Sequence, residues 1–347
     1  MQTADIAIVG LGAIGKMHAE VLARREGAAR LSAIVEPAPH AKDYAQSLGA
    51  AWFPDSGAML AEKPPDGAII ATPNLTHLPL ARQFMSEGIP VLVEKPIAGT
   101  MEDAEALTAF SASSGVPVLV GHHRRHNPII RAAREIIASG KLGRLAAVSV
   151  IPTFLKPPSY FEVEWRRKTG GGPILINLIH EIDLVRCLYG EIRTVQAVRS
   201  HAIRGFEVED TAAVLLGLAN GALVTVALSD AAAAPWSWDL SSGELPNYPP
   251  QPARANAHAI AGTEASLTLP HLELWRYKGA KGWYEPIAMD TAPHEKGSPY
   301  QGQLDHFCRV IRGEERPVID AADATRTLRA TLAVHEAAES GRTVTLN

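Results

Sequence analysis

Residues 5–15 read DIAIVGLGAIG, an apolar run that breaks into Gly10, Gly12 and Gly15 and continues into the helix-like KMHAEVLARRE. A short, nearly continuous apolar run suits a parallel strand buried on both faces. Glycines at this spacing, between such a strand and a helix, suit the pyrophosphate of a dinucleotide. Gly10 permits the tight turn, Gly12 lets the backbone approach phosphate oxygens, and Gly15 lets the helix pack close to the strand. The helix N-terminus then offers N–H groups to the anion, and Ala13 and Ile14 belong to the same cofactor-binding loop. A second strand, LSAIVE, ends in Glu36, which lies 21 residues past Gly15. A carboxylate there accepts a hydrogen bond from the adenosine ribose 2′-OH and repels a 2′-phosphate. NAD is therefore expected over NADP, with the lysine of the following PAPHAK keeping NADP as the alternative.

Outward from this motif, strand-like and helix-like segments alternate for about 120 residues. GAIIAT, IPVLVEKP and VPVLVGHH continue the series of buried strands, with HLPLARQFMSEG and MEDAEALTAFSASSG as helices closing on glycine. This predicts a doubly wound α/β unit whose functional loops sit at the C-terminal strand ends. Those ends carry Gly10–Gly15, Glu36, Thr72–His77, Glu94–Pro96 and Gly121–His126. After residue 122 the pattern changes. A connecting helix (NPIIRAAREIIASGKLG) leads into AAVSVIPTF, TVQAVRSHAI, TAAVLLGLAN, GALVTVALSD, AHAIAGTEASLTLP and LELWRY, which read as strands. Asn220-Gly221 marks the clearest hairpin. One helix (ILINLIHEIDLVRCLYG) interrupts them, and two more (QGQLDHFCRVIRG, ADATRTLRATLAVHEAAESG) end the chain. The expectation is a Rossmann domain over 1–121 and a substrate-binding, oligomerising α+β domain over 122–347. The proline-rich stretch 231–255 reads as a loop or lid, with Trp236, Trp238 and Tyr248 either stacking on a sugar or anchoring the loop.

Composition narrows the partners. A net charge of −4 and a pI near 6.4 give no reason to expect nucleic acid or an anionic membrane. No apolar run approaches the roughly 18 residues of a membrane span, and the chain enters a core strand too early for a signal peptide. Cys187 and Cys308 lack metal-like spacing and read as buried thiols of a reducing compartment. The expectation is a cytoplasmic protein.

Two groups of residues carry chemistry. Glu94-Lys95-Pro96 ends a parallel strand over the dinucleotide crevice, where a lysine can hydrogen-bond a substrate hydroxyl and stabilise a developing alkoxide. An exposed surface lysine is the plain alternative. In the helix from Gly170 to Gly190, Asn177, His180, Glu181 and Asp183 form a polar set. His180 and Asp183 are three residues apart and share a face, so a carboxylate there could orient the imidazole of a general base. HExxH is absent. Three histidines in GHHRRH do not readily fall into one tetrahedral shell, and no metal is implied.

The ordered set GLGAIG, ATPNLTH, VEKP, GHHRRHNP and GGG…NLIHEID resembles the Gfo/Idh/MocA oxidoreductase family, the group of glucose–fructose oxidoreductase and inositol 2-dehydrogenase. The resemblance runs through QLDHFCRVIRGEERPV…AVHEAAESGR near the end of the chain. It implies a Rossmann domain, an α+β domain with a large open, mainly antiparallel sheet, and dimers or tetramers formed through that sheet. It also implies reversible NAD(P)-linked oxidation of a sugar or polyol hydroxyl. By motif, Lys95 would be the catalytic lysine, His180 the catalytic histidine, and Glu94 would approach the nicotinamide ribose. Thr72, Pro73, Asn74 and His77 would line the nicotinamide side. His123 and Arg125 would lie near nicotinamide and substrate, and Trp165-Arg166 would reach toward the cofactor. Lys95, His123, Arg125, Asn177, His180 and Asp183 form the expected substrate set. One position departs: many members carry Asp four residues before the histidine, and here that residue is Ile176. Redox-neutral chemistry with tightly held NAD, or a dinucleotide-binding regulator, are the alternatives this departure leaves open.

Overall fold

The computed structural model describes residues 3–24, 27–244, 248–249 and 254–346. The chain divides into two compact units, one of residues 1–126 with 298–328 and one of 127–297 with 329–347. Residues 298–328, which the sequence reading assigned to the second domain, thus pack with the first unit.

In the first unit β1 (Ala4–Val9), β2 (Ala29–Val35), β3 (Ala51–Phe53), β4 (Gly67–Ile70), β5 (Val91–Val93) and β6 (Val118–Val120) form one parallel sheet, in the order β3-β2-β1-β4-β5-β6. Every residue of β4, β5 and β6 is buried, which is why these strands read as unbroken apolar runs. The strand order reverses between β1 and β4, the place where open α/β sheets hold ligands. The connecting helices are α1 (Ala13–Ala23), α2 (Ala41–Ser47), α3 (Ser56–Glu62), α4 (His77–Ser86) and α5 (Met101–Ser114). The caps follow sequence chemistry: Thr100 accepts the Asp103 N–H, and Gly115 takes the left-handed conformation that closes α5. The edge strand β3, with α2 and α3, was not anticipated, because AWF is too short and too little buried to show a periodicity.

The second unit opens with α6 (Pro128–Ala138) and β7 (Leu145–Val150). A π-helical turn, Ile174–Leu178, then leads into α7 (Ile179–Leu188). There follow β8 (Ile192–Ser200), β9 (Thr211–Leu218), β10 (Leu223–Ser229), α8 (Trp238–Ser241), β11 (His258–Gly262), β12 (Ala265–Leu269), β13 (Glu273–Tyr277) and β14 (Ile287–Thr291). The chain closes with α9 (Pro299–Ile311), which belongs to the first unit, α10 (Ala321–Ser340) and β15 (Val344–Thr345). Nine strands form one sheet in the order β14-β13-β12-β11-β7-β10-β9-β8-β15, antiparallel except for β7 beside β10. In β9 and β10 alternate residues are buried and exposed, so the sheet has one core face and one open face. Ile174, Leu178, Ile182 and Val185 pack on the core face together with Val334 and Ala337 of α10.

Three readings need correction here. AHAIAGTEASLTLP is a hairpin, β11 and β12, rather than one strand. The helix expected at ILINL starts as a π-turn. Within 231–255, Trp238 is fully buried in the unit's core and donates its indole N–H to Glu244 Oε2 at 2.8 Å, so it anchors the loop and stacks on nothing outside. Trp236 and Tyr248 are exposed, and residues 245–247 and 250–253 of the same stretch lie outside the described residues. No helix among the described residues is long and apolar enough to cross a membrane.

Candidate active site

The first unit brings its five predicted loops to one sheet end. Gly10 has φ +92°, and a Cβ there would lie 2.7 Å from both the Ala71 carbonyl oxygen and Thr72 Cγ2. The loops after β1 and β4 therefore touch, and only glycine fits between them. A Cβ on Gly15 would fall on the Gly10 carbonyl oxygen, which fixes how near α1 comes to β1. Gly12 is different: nothing lies within 4 Å of its missing Cβ. Gly12, Ala13 and Ile14 are exposed at the start of α1, whose N-cap makes no side-chain hydrogen bond. Their backbone N–H groups are the anion site that the sequence implies. Glu36 stands beside them, accepting the Leu11 N–H at 2.9 Å and the Ala38 N–H at 3.3 Å. This free turn, with a carboxylate at its flank, has the donor set a dinucleotide requires.

The next loops are tied to one another. Thr72 and Asn74 are half-buried, Pro73 is exposed, and Thr76 Oγ1 lies 2.7 Å from both Thr72 Oγ1 and the Pro73 carbonyl. His77 is fully buried; its Nε2 lies 2.9 Å from the Thr72 carbonyl and its Nδ1 lies 3.0 Å from the Pro96 carbonyl. Burial holds its pKa below the usual imidazole value, so the neutral ring donates to one carbonyl at a time. His77 is a clasp between the loop after β4 and the Glu94-Lys95-Pro96 turn, without a surface of its own for a ligand.

Glu94 is buried, with Oε1 2.7 Å from His18 Nε2 and Oε2 3.2 Å from the Lys95 N–H. A Cβ on Gly121 would come 2.8 Å from the Glu94 carboxyl, so glycine at the end of β6 makes room for that acid. Burial acts to raise the Glu94 pKa, but the His18 hydrogen bond and the charges of His18, His123 and Lys95 outweigh it and hold the group ionised. Lys95 is half-buried beside this carboxylate. His123 stacks on Tyr300 of α9 with ring centroids 4.4 Å apart, and its Nε2 lies 3.3 Å from the Tyr300 hydroxyl. The Arg125 guanidinium is buried against Asp323 at 2.6 Å and also donates to the Val318 carbonyl, so it braces the start of α10. His18 and Tyr300 are the residues sequence reasoning missed. His18 could have been found three residues after Gly15 on the inward face of α1; nothing in the sequence points to Tyr300.

The second unit carries the other predicted group. Trp165 is exposed in a 3₁₀ turn, Glu164–Arg167, and the Arg166 guanidinium lies 4.1 Å from the centre of the Tyr160 ring. The Gly171-Gly172 pair leaves space for the Trp165 carbonyl and the Glu209 carboxylate. Glu209 in turn accepts the Ile174 N–H at 3.0 Å, holding the start of the π-turn. His180 is 9% exposed on α7 and Asp183, one turn on, is 1% exposed. So deep a carboxylate lies below the surface a substrate would reach, which removes Asp183 from the expected substrate set. Glu181 Oε2 lies 2.8 Å from His258 Nε2, whose Nδ1 lies 2.7 Å from the Tyr189 hydroxyl. This buried chain pins α7 to β11. Asn177 is half-buried and accepts a hydrogen bond from Lys156 Nζ at 2.7 Å, a partner the sequence reading did not identify.

Residues 4–122 match a family described as oxidoreductase with an NAD-binding Rossmann fold, and residues 130–268 match the GFO/IDH/MocA C-terminal domain. The chain is 28% identical to scyllo-inositol 2-dehydrogenase (NAD(+)) of Bacillus subtilis, over 98% of this chain and 96% of that one. It is 28% identical to the rhizopine catabolism protein MocA of Rhizobium meliloti over 64% of this chain and 70% of that one. Among solved structures, scyllo-inositol dehydrogenase from Lactobacillus casei with bound NAD(H) and scyllo-inositol superimposes with a TM-score of 0.77. At 22% identity, and with 99% of each chain covered, that likeness shows the fold alone.

Proposed function

The chain belongs to the GFO/IDH/MocA oxidoreductase family, and from that premise we propose that it is an NAD-dependent dehydrogenase of a sugar, polyol or related cyclic alcohol. The observation that carries this is the uncapped, exposed Gly12–Ile14 turn flanked by Glu36, joined to a half-buried lysine at the end of β5 in the same unit. Bound NAD supplies the hydride acceptor; the rest is done by the chain. Gly12, Ala13, Ile14 and Gly15 hold the pyrophosphate, and the Glu36 carboxylate accepts from the adenosine ribose, which selects NAD. Thr72, Pro73 and Asn74 line the nicotinamide side, with His77 clasping their loop from behind. Trp165 and Arg166 contact the cofactor from their own turn. Glu94, kept ionised by His18, faces the nicotinamide ribose beside Lys95. Lys95 donates to the carbinol oxygen and stabilises the alkoxide as it forms. His180 takes the hydroxyl proton, with Asp183 holding its helix face. His123 contacts substrate, and Arg125 sets the position of its turn. Ile176 leaves proton transfer to Lys95 and His180.

Residues 1–121 serve as the dinucleotide-binding domain, with 298–328 packed in the same unit, and the rest of 122–347 supplies the substrate and assembly surfaces. The open face of the large sheet exposes Val198, Leu215 and Leu223 among small residues such as Ala213 and Ala227. Such an apolar face supports a homodimer or homotetramer, measurable by light scattering. That Cys187 and Cys308 are not joined in a disulfide supports a cytoplasmic location.

The test is formation of reduced nicotinamide from NAD+ with monosaccharides, inositols and sugar acids. A substrate whose turnover vanishes in Lys95→Ala, with NAD+ affinity within about twofold (roughly 0.4 kcal/mol), is the expected result. Turnover that survives this substitution removes Lys95 from the mechanism.

A further inference from the structure

Lys156 is 8% exposed, and so deeply buried an ammonium requires partners on every side. Its Nζ donates to Asn177 Oδ1 at 2.7 Å, lies 3.1 Å from Asp230 Oδ2, and sits 4.6 Å from the centre of the Tyr160 ring. Asp230 is itself 1% exposed and is shared with the Arg204 guanidinium. Arg166 lies over the same Tyr160 ring, and Asp239 is near enough to act on Lys156 by charge. Lys156, Arg204 and Arg166 thus stand against Asp230 and Asp239, and a third buried carboxylate, Asp210, accepts the Arg204 backbone N–H at 2.9 Å. All of these residues belong to the second unit.

An ammonium has only donors, so the Asn177 carboxamide must turn its oxygen toward Lys156. The amide Nδ2 is then carried away from Lys156 as a pair of donors. Asn177 precedes His180 by three residues, in the π-turn that leads into α7. A hydroxyl bound at Nδ2 would still need an acceptor for its own proton, and Lys156 already takes one of the two lone pairs of the Asn177 oxygen. A carboxylate needs donors alone, which is what Nδ2 supplies.

We propose that Lys156 is a positioning residue that fixes Asn177 as a donor, and that this subsite selects a hydroxy acid of the sugar class over the neutral polyol. The proposal rests on the dehydrogenase reading for its substrate, but the subsite can be read by binding alone. Protein loaded with NAD+ is titrated by calorimetry with gluconate, glucuronate and galacturonate and with sorbitol, glucose and galactose, and each is also assayed for turnover. The acids are expected to bind about tenfold or more tightly than their neutral counterparts, the scale of one charge-assisted hydrogen bond. Asn177→Asp keeps the oxygen facing Lys156 and replaces the donor with an acceptor. It should abolish the acid preference, the acids losing about tenfold more affinity than their neutral counterparts. Lys156→Met should reduce the preference in the same way, raising KM for acids more than it lowers kcat; Asn177→Asp keeps the test open should Lys156→Met fail to fold. Acids that bind selectively but are not oxidised would sink the dehydrogenase reading and leave the subsite standing. Equal affinity for acids and neutral sugars, no binding of any acid, or an Asn177→Asp protein with unchanged selectivity would overturn the subsite, whatever the turnover.

Discussion

Gly12 and Gly15 belong to one motif, yet alanine at the two positions should fail in different ways. Gly12 has φ −67° and ψ −173°, which any residue adopts, and its added methyl would meet no atom within 4 Å. Alanine is a poorer N-cap than glycine by up to about 1 kcal/mol. It also restricts the unfolded chain, returning roughly 0.4–1 kcal/mol. The two nearly cancel, so Gly12→Ala should melt within about 2 °C of the parent in the absence of cofactor. At Gly15 the methyl would fall on the Gly10 carbonyl oxygen, with Gly10 C 3.0 Å away. Backbone atoms cannot swing aside, so α1 must retreat from β1. Overpacking of this kind costs about 1–3 kcal/mol, and helix propensity returns at most about 1 kcal/mol. A net loss near 2 kcal/mol lowers the melting temperature by about 4–8 °C. Cofactor affinity should order the other way. The Gly12→Ala methyl stands where phosphate oxygens must approach, and a loss of at least about tenfold in NAD+ affinity is expected. The assay is a thermal melt without cofactor beside an NAD+ titration of each variant. A Gly12→Ala protein that binds NAD+ as the parent does would refute the placement of the pyrophosphate. A Gly15→Ala protein that melts with the parent would refute the contact argument.

Glu36→Ala should weaken NAD+ by about tenfold or let NADP+ bind comparably; cofactor titrations unchanged for both would remove Glu36 from the ribose site. Trp238→Ala empties a fully buried site and loses the Glu244 hydrogen bond, so a destabilisation of about 3–5 kcal/mol is expected in urea unfolding. A loss under about 1 kcal/mol would mean that Trp238 is not core. The folded pKa of His77 lies below its unfolded value of 6.5, so below pH 6.5 the unfolded chain takes up the proton first. Stability contributed by neutral His77 is therefore present above that pH and is lost as pH falls toward the folded pKa. His271, His306 and His335 are lowered in the same sense, so the parent's slope is a sum. His77→Gln should flatten the fall in melting temperature below pH 6.5 relative to the parent, and an identical slope would show that His77 is not held neutral.

The elements most legible in the sequence were those whose burial is complete. β4, β5 and β6 are covered on both faces, as β1 is beyond Asp5, so these residues had to be apolar or glycine and the runs announced themselves. The alternation of β9 and β10 was readable for the complementary reason, one face being open. The short edge strands β3 and β15 carried no such signal, because two or three residues show no period. Strand ends could be read where an apolar run stops, which is how Glu36 and Lys95 were singled out as candidates.

By itself the sequence determined which candidate groups the chain holds: three glycines at fixed spacing, an acid one strand later, a lysine at a strand end, a histidine in a helix. These depend on local spacing, and local spacing is what a sequence records. Only the tertiary structure decided which of those groups are occupied by partners far along the chain. Glu94 is held by His18, His123 by Tyr300, Arg125 by Asp323, and Asn177 by Lys156. Each pairing joins separate segments, from 21 to 198 residues apart. A polar group buried with its partner is satisfied by geometry rather than by sequence distance, so no reading along the chain could tell a clasped side chain from one left to meet a substrate.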